Sequence, residues 1–116
     1  MSFGSMATPQ VSAQEAMSML QLGSDLLDVR EADEWQAGRA PGARHIPLQD
    51  LPQRLDVLDR DRTVLVICRS GRRSDSAAAF LRQAGFDARN VAGGMQAWQQ
   101  VGGDVLTPTG DPGCVI

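Results

Sequence analysis

Cys68 is followed by Arg69, Ser70, Gly71, Arg72, Arg73 and Ser74, a run that combines a nucleophile, a glycine-bearing loop and fixed positive charge. The four residues before it, Val64-Leu65-Val66-Ile67, read as a strand buried on both faces, so the sulfur arrives where the strand ends and side chains meet solvent. Ser74 is placed to cap a helix carrying apolar Ala77, Phe80, Leu81 and Ala84, and Gly85 to end it. With Gly71 relaxing the backbone, such a loop turns successive N–H groups toward one point, backed by the positive end of the helix. That geometry holds an anion. A cysteine beside arginine at a helix N-terminus also ionises readily, its pKa falling from roughly 8.5 to between about 3.5 and 7.5. Cys68 is therefore expected as a thiolate, with Arg69, Arg72 and Arg73 adding charge that guanidinium does not lose. The competing reading, a small buried apolar residue beside solvated arginines, leaves the convergence of strand end, glycine loop, arginines and helix start unexplained.

The elements that must position this loop follow from spacing. Ser12-Ala13-Gln14-Glu15 is a capping box, and Ala13, Ala16, Met17 and Leu20 form an apolar helical stripe that stops at Gly23. Leu26-Leu27-Asp28-Val29 reads as a strand leading into a brief helix with Glu34 and Trp35, ended by Gly38. Pro41-Gly42 is a turn, Ala43 to Pro47 a short strand, and Leu48, Leu51, Leu55 and Leu58 repeat at helical spacing with Pro52 offsetting the first turn. Ala88 to Val91 is a further strand, and Gly93-Gly94 opens a last helix with Met95 and Trp98. Strands alternating with helices predict an α/β domain, a mainly parallel sheet with helices on both faces and its ligand site beyond the carboxyl ends of the strands. Asp28 to Glu31 and Gly93-Gly94 follow strand ends and are expected around the Cys68 loop. Residues 1–8 are expected to be disordered or, in the stretch before Met6, derived from cloning; residues 9–102 are expected to form the domain and 103–116 a loosely attached tail.

Composition narrows the chemistry. The 116 residues make one domain, and 14 acidic against 11 basic residues offer no general attraction to nucleic acid or to an anionic membrane. Every basic residue is arginine, which excludes lysine Schiff-base chemistry. Two cysteines, Cys68 and Cys114, and one histidine, His45, are too few for a structural zinc site, and no metal or cofactor is expected. The chain carries neither a signal-like start nor an apolar run of the ~20 residues a membrane span needs, so it reads as soluble and cytoplasmic.

Four stretches together resemble the rhodanese domain family in its single-domain form: Asp28-Val29-Arg30-Glu31 with Glu34-Trp35, Gly38 through Pro47, Cys68 through Arg73, and Val91 through Trp98. The resemblance implies a sheet of about five strands and a sulfurtransferase. Cys68 would take the outer sulfur of a donor such as thiosulfate and pass it, as a persulfide, to a nucleophilic acceptor: cyanide, a thiol or an acceptor protein. The loop Cys68 to Arg73 would be the family's six-residue active loop, with Arg69, Ser70, Gly71, Arg72 and Arg73 binding the anionic donor. Asp28 and Arg30 would tune the site from behind, although a helical pairing of Arg30 with Glu34 competes with that role. Arg39 stands where the family often has histidine. His45 is then the one imidazole and reads as a structural hydrogen-bonding residue, because a preformed thiolate needs no base.

Two other activities use similar parts. Cysteine phosphatases and arsenate reductases also hold a thiolate in a loop of N–H groups, but phosphatases place five residues between cysteine and arginine, where four separate Cys68 from Arg73. A relay that carries sulfur from one protein to another would need the same loop as the small-molecule enzyme. The chain is expected as a monomer or weak dimer. Cys114 reads either as an incidental exposed thiol or as a second nucleophile that a flexible tail brings back to the Cys68 persulfide.

Overall fold

The computed structural model describes residues 7–116. The expected cloning-derived start lies outside the described residues. In chain order the elements are β1 (Gln10–Val11), α1 (Ala13–Gln21), β2 (Asp25–Asp28), α2 (Ala32–Ala37), β3 (Arg44–His45), two 3-10 helices (Leu48–Gln53 and Leu55–Val57), β4 (Val64–Ile67), α3 (Arg72–Gln83), β5 (Ala88–Val91) and α4 (Gly94–Gln100). The five strands form one sheet in the order β1-β5-β4-β2-β3, and every pairing is parallel. Strand β4 is central, as its continuous apolar run predicts. From β2 the chain leaves toward β3, and from β4 it leaves the other way toward β5. The crevice beyond the ends of β2 and β4 is thus the switch point where open parallel sheets bind ligands.

Alternation along β4 divides the core. Val64, Val66 and Cys68 pack with Leu27, Ile46, Leu51, Ala77, Ala78 and Leu81 on the α3 side. Leu65 and Ile67 pack with Ala13, Ala16, Val91, Met95 and Trp98 on the side of α1 and α4. Cys68, one residue past the strand, keeps the period and is directed at α3.

Several local expectations meet their elements. The Ser12 capping box is formed in both directions, with Glu15 N–H donating to Ser12 Oγ at 3.0 Å and Ser12 N–H to Glu15 Oε1 at 2.9 Å. Others change. The leucine repeat from Leu48 folds as 3-10 turns, because Pro52 has no N–H for an α-helical ladder. Phe80 stays exposed, and Ala77, Ala78 and Leu81 carry the buried face of α3. The two-residue edge strand β1 has no sequence signal of its own and exists through its pairing with β5.

The C-terminal segment is not loose. Arg39 and Leu106 exchange backbone hydrogen bonds at 2.9 Å in both directions, Gly113 N–H donates to Val105 O at 2.8 Å, and Cys114 N–H donates to Ala37 O at 3.0 Å. A Cβ on Gly38 would meet Val105 Cγ1 at 2.5 Å and Cys114 O at 2.6 Å, so glycine is needed there for close approach. Val115 packs on the α1 and α4 side of the core. Cys114 is exposed and unpaired, but its backbone is tied to the end of α2, which removes the free tail that an attack on Cys68 would require.

Candidate active site

The loop between β4 and α3 is shorter than its sequence suggests. Helix α3 begins at Arg72, with Gly71 as its N-cap at φ +97°. Ser74 is therefore not the cap: it lies in the first helical turn, where both its N–H and its hydroxyl face inward. Gly71 is required by its positive φ and by space, since a Cβ would meet Gly93 N at 3.0 Å. Around Cys68 Sγ converge Gly71 N–H at 3.2 Å, Ser74 N–H at 3.3 Å and Ser74 Oγ at 3.2 Å. Cys68 is 0% exposed, so the sulfur lies at the floor of the loop rather than at an open mouth.

Burial pushes the Cys68 thiol up. The Ser74 hydroxyl, Ser74 N–H, Gly71 N–H and Ser70 N–H more than offset it and hold the thiol below its ordinary value. Neutral donors thus supply the effect that sequence reading attributes to arginine charge. The floor is braced from behind by α4: Met95 N–H donates to Cys68 O at 2.7 Å and Gln96 N–H to Arg69 O at 3.0 Å. This contact needs Gly94, whose added Cβ would collide with the Cys68 carbonyl oxygen. The expected approach of the Gly93-Gly94 turn to the loop is borne out.

The three arginines separate. Arg69 and Arg72 are exposed on the rim, as is Ser70. Arg73 instead turns to α2 and pairs bidentately with Glu34, Nη1 to Oε1 at 2.7 Å and Nη2 to Oε2 at 2.8 Å. Its guanidinium hydrogen bonds hold the Glu34 carboxyl below the usual carboxylate range, and Glu34 in turn raises Arg73. Arg30 does not pair with Glu34. It is fully buried and bonds Asp28 through Nε (3.0 and 3.1 Å) and Nη2 (2.8 Å), with Nη2 also reaching Gly38 O at 2.7 Å. Asp28 and Arg30 thereby join the end of β2 to the end of α2. His45 Nε2 lies 2.7 Å from Arg30 O; a carbonyl only accepts, so the proton is on Nε2. Its ring stacks on Trp35 at 4.7 Å, and Arg39 lies over that indole at 4.1 Å, a cation–π contact at the position where the family often has histidine. His45 is thus a structural hydrogen-bonding residue, as expected.

Sequence reasoning missed Glu34 as the partner of Arg73, the inward hydroxyl of Ser74, and Asn90 behind it. No local signal marks the first, a contact across 39 positions. Asn90, an amide between the apolar Ala88 and Val91 on an inner strand, is a signal that could have been read, since a buried amide needs partners. Among the described residues no cluster of metal-ligating side chains occurs, and no helix is long and apolar enough to cross a membrane.

Glu34→Gln is expected to lower stability by on the order of 1 kcal/mol, modest because Arg73 is about a third exposed. A carboxyl lowered on folding adds stability above its unfolded value and loses it as pH falls through the folded one. The difference between wild type and variant, measured by urea melts, should therefore shrink as pH drops below about 4. A difference unchanged from pH 7 to 3 would remove the ion pair from this account.

A parallel five-stranded sheet with a cysteine at the floor of its switch-point loop defines the class, and the chain belongs to the rhodanese-like domain family, whose pattern matches residues 12–101. It is 38% identical over 99 residues to the thiosulfate sulfurtransferase GlpE of Actinobacillus succinogenes, covering 84% of this chain and 89% of that one. With the putative sulfurtransferase YtwF of Bacillus subtilis it shares 45% identity over 74 residues, 64% of this chain and 72% of the other. Among solved structures, a rhodanese-related protein from Thermoplasma volcanium superposes with a TM-score of 0.79 at 33% identity, covering 84% of this chain and 97% of that one.

Proposed function

We propose that the protein is a sulfurtransferase that moves a sulfane sulfur from an anionic donor such as thiosulfate to a thiophilic acceptor through a persulfide on Cys68. The observation that carries the reading is the convergence of two N–H groups and one hydroxyl on a single buried sulfur at 3.2–3.3 Å. Such a cradle stabilises a thiolate without metal or base. The Cys68 thiolate attacks the outer sulfur of thiosulfate, forming a new S–S bond as the donor S–S bond breaks and its electron pair leaves with sulfite. The acceptor, cyanide or a thiolate, then attacks the outer sulfur of the persulfide, and Cys68 departs as thiolate. The N–H groups of the loop serve both anionic states. The names of the relatives, a thiosulfate sulfurtransferase among them, support the donor class. A thiol that works reduced favours the cytoplasm.

A phosphatase reading is less well supported, because the arginine nearest the phosphatase position, Arg73, is engaged by Glu34. Turnover of thiosulfate and cyanide to thiocyanate, run beside para-nitrophenyl phosphate hydrolysis, separates the two. Thiosulfate alone should leave one added sulfur, ~32 Da, on Cys68 by peptide mass spectrometry. An unmodified Cys68, or hydrolysis of the phosphate ester alone, would overturn the proposal.

Arg69 and Arg72 are the rim charges left to draw an anion in. Replacing both by glutamine is expected to raise the thiosulfate KM by about three- to tenfold at low salt, with kcat little changed and the salt dependence of KM flattened. An unaltered KM with unaltered salt dependence would assign the two arginines to some other task.

A further inference from the structure

Behind Ser74 a buried polar chain runs from the sulfur to the edge of the sheet. Ser74 Oγ lies 3.2 Å from Cys68 Sγ and 2.6 Å from Asn90 Oδ1. The Asn90 amide cannot be reversed. Its Nδ2 donates to Gly71 O at 3.0 Å, a carbonyl that only accepts, and to Gln10 Oε1 at 2.8 Å, and Gln10 Nε2 is in turn held by Asp75 Oδ1 at 2.7 Å. Asn90 Oδ1 therefore faces Ser74 as an acceptor. The serine hydroxyl carries one proton and has two acceptors within reach.

We infer that Asn90 is a positioning residue for Cys68, competing with the sulfur for the Ser74 hydroxyl proton so that this hydroxyl reverses with the charge on Cys68. With the thiol neutral, Ser74 O–H donates to Asn90 Oδ1, and its lone pair accepts the Cys68 S–H. When the thiol ionises, its proton leaves to solvent and Ser74 turns its own hydroxyl from Asn90 to Sγ; no proton is transferred between protein groups. In the persulfide the negative charge sits on the outer sulfur, and Ser74 returns to Asn90. By stabilising the neutral and persulfide states, Asn90 keeps the thiol from ionising too easily. A thiolate of lower pKa is a weaker nucleophile, so this withholding preserves reactivity.

The charged groups around Cys68 are balanced or distant from this exchange. Arg73 on α3 is paired with Glu34 on α2, Asp28 with Arg30 at the end of β2, and Asp75 is bonded to Gln10; Arg69 and Arg72 are exposed on the rim. His45 at the end of β3 is bonded to Arg30 O, and the N-terminus of α4 contributes the N–H of Met95 to Cys68 O. The uncharged pair Ser74 and Asn90 is what changes state with the sulfur.

The inference deepens the sulfur-transfer reading, but its test needs no sulfur donor, so the two can fail separately. The Cys68 titration is followed by thiolate absorbance near 240 nm, with Cys114 replaced by serine throughout so that one thiol is read. Asn90→Ala is expected to lower the Cys68 pKa by about half to one pH unit, Ser74→Ala to raise it, and Asn90→Ala to have no further effect in the Ser74→Ala background. A role confined to clamping Gly71 through Nδ2 would act with or without the serine. An unmoved or raised pKa in Asn90→Ala, or the same shift in both backgrounds, would overturn the inference. Wild-type protein supplies an independent readout should a variant fail to fold. The side-chain carbonyl carbon of Asn90 should titrate by NMR with the Cys68 midpoint, and a carbonyl signal flat across that midpoint counts equally against the exchange.

Discussion

Cys68→Ser is expected to bring sulfur transfer down to background, a loss on the order of 10^4-fold or more, while leaving the fold in place. A serine hydroxyl is not ionised at neutral pH and cannot carry a sulfane sulfur. The two N–H donors around Sγ can still be received, because a serine oxygen has two acceptor lone pairs, and the Ser74 hydroxyl keeps Asn90 Oδ1 as its acceptor. The site is fully buried on the α3 side of the sheet, and oxygen is slightly smaller than sulfur, so the stability change should stay within about 1 kcal/mol. Thiocyanate production and a thermal melt measured on the same preparation check both halves. Activity surviving in Cys68→Ser would move the chemistry away from this loop, and a collapsed melt would make Cys68 a packing residue first.

Asp28→Ala carries the largest expected cost to the fold. Asp28 and Arg30 are both 0% exposed, and three contacts at 2.8–3.1 Å join the guanidinium to the carboxylate. Removing the carboxylate strands a buried positive charge, which typically costs on the order of 3–5 kcal/mol. Against a domain stability of about 5–15 kcal/mol this is between about a fifth and the whole of it. The damage should spread to the end of α2, since Arg30 also holds Gly38 O. Chemical denaturation should show the unfolding free energy falling by this amount. Replacing both residues by apolar ones of similar size should recover part of it, because the pair itself contributes less than its disruption removes. A variant as stable as wild type would show that Arg30 finds water or another acceptor.

What the sequence determined by itself was the frame and the nucleophile. The apolar run before Cys68, short and mostly β-branched, reads as a strand buried on both faces, and Gly85, Gly38 and the Ser12 capping box mark their helix ends through local backbone chemistry. These signals act within a few residues and are legible in order. The assignment of partners was not. Arg73 sits beside Arg72 in the chain, yet it pairs with Glu34 while Arg72 is exposed, because the parallel neighbours β2 and β4 release α2 and α3 from the same end of the sheet. Arg30 is four residues from Glu34, a spacing that favours helical pairing, but it precedes α2 and faces the sheet, where Asp28 is nearer. The tail from Gly103 looks unanchored by composition because its ties are backbone hydrogen bonds to Ala37 and Arg39, which leave no mark on residue type. Asn90 meets Ser74 only because β5 lies beside β4 and α3 crosses between them. The lowering of the Cys68 thiol depends on where N–H and O–H groups point, and only the folded loop decides that.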